Sequence, residues 1–182
     1  MYFNEKGNIN TEKCAVLAIQ AAKDKNIKHI VIASNSGYTA KLFKDMKDMN
    51  VVCVTHACGF HKPGEKEFSN EVYEELKREG IKVLTTTHVL SGAERGISRK
   101  FGGVNPVEIM AHTLRMLGQG TKVCVEVAVM ALDAGLIPYG EEIIAVGGSG
   151  NGSDTAVVIS PAHASNILDT KINEIICKPR NF

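Results

Sequence analysis

The segment after the apolar run His29–Ala33 combines residue types that bind anions. It consists of Ser34, Asn35, Ser36, Gly37, Tyr38 and Thr39. Backbone N–H groups at the carboxyl end of a strand, where a helix begins, attract negative charge. Gly37 would let the backbone approach a ligand closely, and the hydroxyl groups would add donors. The pattern predicts a phosphate site, and a plain capped turn is the alternative.

A second candidate loop follows the apolar run Ile143–Val146. It consists of Gly147, Gly148, Ser149, Gly150, Asn151, Gly152, Ser153, Asp154 and Thr155. A strand rather than a helix comes next, which excludes a dinucleotide fingerprint, and the absence of GKS or GKT excludes a Walker loop. So many glycines favour exposed backbone amides that form an anion-binding nest. The alternative is a flexible loop.

A third polar segment, which begins at Thr55, follows the apolar run before it. His56, Cys58 and His61 are potential metal ligands, but no fourth ligand is near them, so we predict that no metal binds here. We expect His56 or Lys62 to contact an anion, or Phe60 to lie against a ring. An ordinary polar loop is an equal alternative.

Charged side chains form two further patterns. Arg95 and Arg99 are four residues apart and would share one helix face, able to grip a phosphate or carboxylate, although a solvated face is favoured. Lys122 and Glu126 have the same spacing, which we interpret as a helix edge or an interface rather than a catalytic acid. No arrangement of residues identifies a nucleophile, so catalytic residues stay unassigned.

Composition restricts the classes of partner. The chain has 182 residues, of which 44% are hydrophobic, and is expected to form one domain over residues 1–182. A net charge of +1 gives no field that would attract nucleic acid or an anionic membrane, so neither is an expected partner. No leader or membrane span is visible, and five scattered cysteines are typical of thiols in a reducing cytoplasm. We therefore expect a soluble, cytoplasmic protein.

The positions of these loops depend on alternating strands and helices. The patterns predict strands over 29–33, 51–54, 81–87, 142–146, 155–159 and 174–178, and helices over 12–25, 40–49, 70–79, 107–117 and 122–134. Such alternation predicts a three-layer α/β/α fold with a mostly parallel, mixed sheet of five or six strands. The loop from 147 to 154 is too short for a helical crossover, so its two flanking strands should pair antiparallel. The three polar loops should then meet in one site at the carboxyl ends of the strands.

The same stretches resemble the C-terminal domain of pyruvate kinase. The sequence HIVIASNSGYTAKLF is similar to the part of that domain where a strand ends in a serine-glycine-serine/threonine turn and an alanine opens the next helix. The stretch from the helix that ends at Gly135, through Tyr139 and the glycine-rich loop, to Ile159 is similar to its closing segment, whereas residues 57–120 depart from it and are longer. The chain looks most like a small, stand-alone, uncharacterised prokaryotic family, chiefly archaeal, with this fold.

The resemblance implies a function for the two loops. In many pyruvate kinases they clamp the phosphates of a sugar-bisphosphate effector, and the stand-alone family is associated with FMN. It therefore implies a nucleotide-binding flavoprotein with FMN as cofactor and a phosphorylated small molecule as ligand. Kinase activity is not implied, because the catalytic barrel is absent. The alternatives are an enzyme, either a flavin-dependent oxidoreductase or one acting on a phosphorylated metabolite, and a regulatory module that forms a homo-oligomer.

Overall fold

A single sheet of seven strands runs through the centre of the molecule. The computed structural model describes all residues from Met1 to Phe182. The strands are β1 (Tyr2–Phe3), β2 (His29–Ala33), β3 (Asn50–Val54), β4 (Lys82–Leu84), β5 (Ile143–Gly147), β6 (Thr155–Ser160) and β7 (Lys171–Pro179). Their order across the sheet is β1-β7-β6-β5-β2-β3-β4.

Six α-helices cover the two faces of this sheet. They are α1 (Thr11–Asp24), α2 (Tyr38–Lys41), α3 (Asn70–Arg78), α4 (Gly92–Phe101), α5 (Pro106–Arg115) and α6 (Gln119–Asp133), and short 3-10 turns span Asn8–Asn10 and Ala164–Asp169. None of these helices has the length and apolar character needed to cross a membrane.

Alternation along the central strands creates two separate cores. In β2, Ile30 and Ile32 pack into one apolar cluster with α1 and α3, whereas Val31 packs into the other with α6. Successive side chains of a strand point to opposite faces, so a continuous apolar run such as HIVIA fits a strand covered on both sides. This confirms the predicted three-layer α/β/α architecture.

The direction of the strands fixes where their loops emerge. β2 pairs in parallel with both β3 and β5, so the carboxyl ends of these three strands lie at one edge of the sheet. β5 and β6 pair antiparallel, with Gly147 opposite Thr155, which confirms the pairing expected from the short connection. The segments that follow Ala33, Val54 and Gly147 therefore leave the sheet side by side.

The sheet has one strand more than the upper prediction, because the two residues of β1 pair with β7 through Tyr2 opposite Lys178. β7 is accordingly an inner strand, and it extends beyond the predicted range 174–178 at both ends. The predicted strand 81–87 is shorter, since β4 has a single neighbour and pairs with it over three residues only.

Two helical segments differ from their predictions. The expected helix 40–49 ends at Lys41, and the chain continues in tight turns such as Met46 N–H to Phe43 O (3.3 Å), which bury the Phe43 ring. The helix α4 was expected only from the spacing of Arg95 and Arg99, and its bounds were not predicted, because it buries no residue and so lacks an apolar stripe. By contrast, α3 begins as predicted at the Ser69 cap, whose hydroxyl accepts from Val72 N–H (3.3 Å).

The helix α6 lies unusually close to the sheet at Gly120. A Cβ atom at this position would lie 2.1 Å from Thr155 Oγ1 and 2.9 Å from Asp154 Oδ1. Since both neighbours are buried, neither can move aside without disturbing the core. The absence of a side chain at Gly120 therefore sets the distance between α6 and β6.

We predict that Gly120→Ala lowers the free energy of unfolding by about 1–3 kcal/mol, as overpacking does elsewhere. The matched control is Gly96→Ala in α4, where a Cβ would meet nothing within 4 Å. That change should leave stability unchanged or raise it by up to about 1 kcal/mol, because alanine favours a helix over glycine. Chemical denaturation followed by circular dichroism measures both. Equal effects of the two substitutions would contradict the close packing.

Candidate functional site

A cleft of about 730 Å³ opens at the carboxyl ends of β2, β3 and β5. The three loops singled out in the sequence all contribute to its lining. From the predicted set, the residues that line it are Ser34, Asn35, Ser36, Tyr38, Thr39, Thr55, His56, Phe60, Gly148, Gly150, Asn151 and Gly152. The structure thus brings together most of a set that spans over a hundred residues of sequence.

The other predicted residues do not line the cleft; they are Gly37, Ser149, Ser153, Asp154 and Thr155. Gly37 has a left-handed φ of 81°, and a Cβ there would lie 2.3 Å from Val72 Cγ1, so its α-carbon faces α3 instead. Ser153, Asp154 and Thr155 are buried. These residues shape the loops from behind.

The buried Asp154 carboxylate anchors the glycine-rich loop. Its Oδ2 accepts from Gly7 N–H (2.9 Å) and Ser149 N–H (3.2 Å), and its Oδ1 accepts from the Thr155 hydroxyl (2.8 Å). A buried carboxylate is costly unless its oxygens are satisfied, and here they are. Asp154 therefore joins the amino-terminal segment, the loop and β6.

The serine loop, residues 34–39, leaves several donors unused. Ser34 N–H donates to Val54 O (3.0 Å), which continues the sheet, but the N–H groups of Asn35, Ser36 and Gly37 donate to no protein atom. The helix that follows has only four residues, so the local N–H groups and hydroxyls, rather than a helix dipole, define the chemistry of this loop.

The glycine-rich loop leaves a second group of donors unused. The N–H groups of Gly148, Gly150, Asn151 and Gly152 donate to no protein atom. The loop folds tightly on itself, since a Cβ on Gly148 would lie 2.2 Å from Gly152 O. Gly152, with a φ of 72°, packs against Asn8, a cleft residue that the sequence analysis missed. Side chains at these two glycines would collide with the loop itself and with the segment around Asn8.

His56 occupies the floor between the loops with both ring nitrogens engaged. Asn35 Oδ1 accepts from the backbone N–H of His56 (3.1 Å). This bond leaves the Asn35 side-chain nitrogen facing His56 Nε2 (2.8 Å). That nitrogen can only donate, so Nε2 accepts and the ring proton resides on Nδ1. Nδ1–H then donates to Glu67 Oε1 (3.0 Å). The result is a carboxylate–imidazole pair tied to the serine loop.

Aromatic rings surround this pair. The Phe60 ring stacks on His56 with centroids 3.9 Å apart, and the His88 ring lies 5.4 Å from His56. Burial lowers the pKa of His88, although the nearby Glu126 carboxylate raises it. His88 is therefore favoured as neutral imidazole, with Nε2 placed to accept from Ala57 N–H (3.4 Å).

A helical wall closes the opposite side of the cleft. Lys122 and Glu126 form an ion pair that is buried and lines the cleft. Of the two expected positions, a helix edge or an interface, the burial contradicts the helix edge. Glu126 Oε1 also accepts from Leu90 N–H (3.0 Å). Arg95 faces the cleft, whereas Arg99 does not, so the two do not grip one group.

Several lining residues escaped the sequence analysis because they come from separate helices or loops; they are Glu67, Arg115 and Gln119. No local pattern marks them, since each is a single polar residue in an otherwise ordinary segment. Lys122 was noted only for its spacing from Glu126, and the fold shows that it and His88 face the same space.

The cysteines offer no nucleophile to the cleft. All five are free thiols, and none lines the cavity. Burial raises the pKa of Cys53 to about 12 and raises that of Cys124 as well, so both stay protonated, as expected of core thiols.

Comparison with known proteins shows that the chain is similar to one domain of a larger enzyme. A family model described as the alpha/beta domain of pyruvate kinase matches residues 12–159. Crystal structures of pyruvate kinase from Cryptosporidium parvum are similar over 81% of this chain and 22% of that chain, with 20% identity and a TM-score of 0.42. The same enzyme in complex with ADP is similar over 81% of this chain and 22% of that chain, with 20% identity and a TM-score of 0.41. The chain thus spans about a fifth of the length of these pyruvate kinases.

The ligand atoms of His56, His61 and Glu67 all lie within 4.8 Å of one another, a spacing that could hold a metal ion. We nevertheless predict that the protein binds no zinc here, because Asn35 occupies His56 Nε2 and keeps the proton on Nδ1. A metal needs an unprotonated, accessible ring nitrogen.

Elemental analysis after dialysis against zinc should give far less than one zinc per chain. His61→Ala should leave that value unchanged, as should the control His112→Ala on the exposed side of α5. About one zinc per chain that His61→Ala removes and His112→Ala retains would contradict the prediction.

Proposed function

This chain belongs to the pyruvate kinase alpha/beta-domain family, and we propose that it binds a phosphorylated small molecule, FMN in particular, in the cleft. We place the phosphate between the serine loop and the glycine-rich loop. We also propose that the protein belongs to a chiefly archaeal group with this fold and works in a reducing cytoplasm. Its five free thiols support that environment.

The observation that carries the proposal is the set of unused backbone donors at the cleft. Asn35 and Ser36 on one loop, and Gly148 and Gly150–Gly152 on the other, line the cleft and have N–H groups with no protein acceptor. Backbone N–H groups are obligatory hydrogen-bonding groups, and clusters of them form concave sites for anions. Both loops line one cleft, so a group with several acceptor oxygens can satisfy donors from each.

Hydrogen bonds from these donors would supply enough free energy to hold a phosphate dianion. A hydrogen bond to a charged group contributes about 1.5–3 kcal/mol. Two or three such bonds supply much of the roughly 8 kcal/mol that a micromolar complex requires. The hydroxyls of Ser34, Ser36 and Thr39 line the same space and add donors.

The ring of the ligand has fewer partners. The chain has no Trp, and the aromatic side chains that line the cleft are Tyr38 and Phe60. Both are exposed, by 51% and 41%, and Phe60 already stacks on His56. They offer a flat surface to an isoalloxazine ring but do not enclose it. The phosphate is therefore the anchor, and the ring adds a weaker contact.

An enzyme that acts on a phosphorylated metabolite is the second candidate, and one observation favours it. The Glu67–His56 pair has the carboxylate–imidazole arrangement that moves protons in many active sites. Its Nε2 contacts Asn35 of the serine loop, so a ligand that displaces this amide would find the imidazole ready to accept a proton. A regulatory, oligomer-forming role would instead use the exposed apolar side chains of Phe101 and Met116, on the helices beside the cleft.

We predict that FMN binds at least about 100-fold more tightly than riboflavin, which lacks the phosphate and so loses two or more charged hydrogen bonds. Ser36→Asp, which places a like charge in the serine loop, should abolish that difference. Phe60→Ala should weaken both ligands by roughly tenfold or less, since a stacking contact contributes about 1 kcal/mol.

Titration followed by flavin fluorescence measures these affinities. Ser165→Asp, on an exposed 3-10 turn outside the cleft, adds the same charge and should change neither affinity. Equal affinity of the wild-type protein for FMN and riboflavin would overturn the phosphate anchor. Binding of neither would overturn the flavin assignment and leave a sugar phosphate as the ligand to test.

A further inference from the structure

The helical side of the cleft carries three cationic side chains from three helices. These are Arg95 of α4, Arg115 of α5 and Lys122 of α6, which we call the basic wall. Arg95 and Arg115 are half-buried. Neither forms an ion pair with any carboxylate, whereas other cations of the chain do. Two partly desolvated guanidinium groups therefore face the cleft without a negative partner.

The nearby acidic side chains are engaged elsewhere. Glu94 Oε2 accepts from Val107 N–H (2.9 Å) at the start of α5. Glu108 accepts from the Ser98 hydroxyl (2.7 Å) and from Asn105 N–H (3.2 Å). These bonds hold α4 and α5 together, and neither carboxylate forms an ion pair with an arginine of the wall. Arg95 contributes to the lowered pKa of Glu108, after the bonds from Ser98 and Asn105, but makes no direct contact with that carboxylate.

Lys122 differs from the two arginines because Glu126 neutralises it inside the helix. Burial lowers the pKa of Lys122, and Arg115 and Arg95 lower it further, against Glu126, which raises it. The three cations thus lie close enough to repel one another. After the Lys122–Glu126 pair is set aside, the wall retains the two arginine charges.

The Arg115 side chain is held in place. Its Nε donates to Gln119 Oε1 (2.7 Å), one helical turn further on, and Gln119 also lines the cleft. The bond fixes the plane of the guanidinium and leaves its terminal nitrogens free to donate. A planar, oriented guanidinium is suited to the two-point recognition of phosphate or carboxylate oxygens.

We propose that the basic wall binds a second anionic group, a phosphate or a carboxylate, separate from the phosphate held by the two loops. The basic wall would bind this group whether the molecule in the two loops is FMN or another phosphorylated compound. The second group belongs either to the same ligand, which would then be anionic at both ends, or to a separate small anion that shares the cleft.

Equilibrium dialysis with radiolabelled inorganic phosphate at low ionic strength tests the wall. The double variant Arg95→Gln/Arg115→Gln removes it, and Ser36→Asp removes the loop site. Arg99→Gln/Lys100→Gln is the matched control, since it deletes the same charge from exposed positions of α4 outside the cleft. Circular dichroism and the Tm establish that each variant is folded.

We expect the wild-type protein and the control to bind two phosphates per chain, and each of the other variants to bind one. If the wild type binds one phosphate and the wall variant none, the wall is supported and the loop proposal fails. A wall variant that binds as many phosphates as the wild type, whether one or two, overturns the inference. So does the absence of saturable binding to the wild-type protein.

Repeating the dialysis with FMN-saturated protein separates the two sources of the anion. One phosphate that still binds, and that the wall variant loses, identifies a separate small molecule beside FMN. Loss of all phosphate binding in the presence of FMN shows that bound FMN covers the wall and excludes a separate anion. Since the loops hold the one phosphate of FMN, the second anionic group would then belong to a different ligand, anionic at both ends, that takes the place of FMN.

Discussion

The cleft depends on the buried carboxylate of Asp154. It accepts hydrogen bonds from Ser149 N–H and the Thr155 hydroxyl, which are its neighbours in the loop and in β6, and from Gly7 N–H, which is distant in sequence. Because the carboxylate is fully buried, every oxygen must find a partner, and this requirement determines the path of the glycine-rich loop. The close approach of α6 at Gly120 seals the carboxylate from behind. The unused N–H groups of the loop then remain on the cleft side.

The parallel pairing of β2 with β3 and β5 supplies the other half of the arrangement. It places the serine loop between the other two loops, within reach of both. Asn35 uses this position to bond His56, so the serine loop and the histidine cluster form one connected structure. A ligand held by the serine loop would therefore sit beside the Glu67–His56 pair and opposite the two arginines of the wall. Binding, and any chemistry, would take place in the same space.

The sequence predicted best those features that short segments determine. The run HIVIA gives a strand covered on both faces, the Ser69 cap begins a helix, and the short loop before Thr155 requires an antiparallel pair. Two polar loops after strands could likewise be predicted to share an edge of the sheet. In each case the physical cause acts within a few residues.

Features that depend on contacts between distant segments could not be predicted. Asp154 was predicted to bind the ligand. The structure shows instead that its carboxylate is buried and bonds to Gly7 and Ser149. Lys122 and Glu126 were interpreted as a helix edge or an interface, because the sequence of their own helix does not show that the loop at Leu90 covers them. Arg115 carries no local signal at all, since its role depends on where α5 packs.

The central claim is that both loops hold one phosphate, and amide NMR spectra recorded during titration with FMN test it most directly. The account predicts that the N–H signals of Asn35–Gly37 and of Gly148 and Gly150–Gly152 shift together and saturate at one FMN per chain. Signals of exposed amides far from the cleft, such as that of Ser165, should stay in place. Shifts confined to one loop, or to residues outside the cleft, would contradict the account.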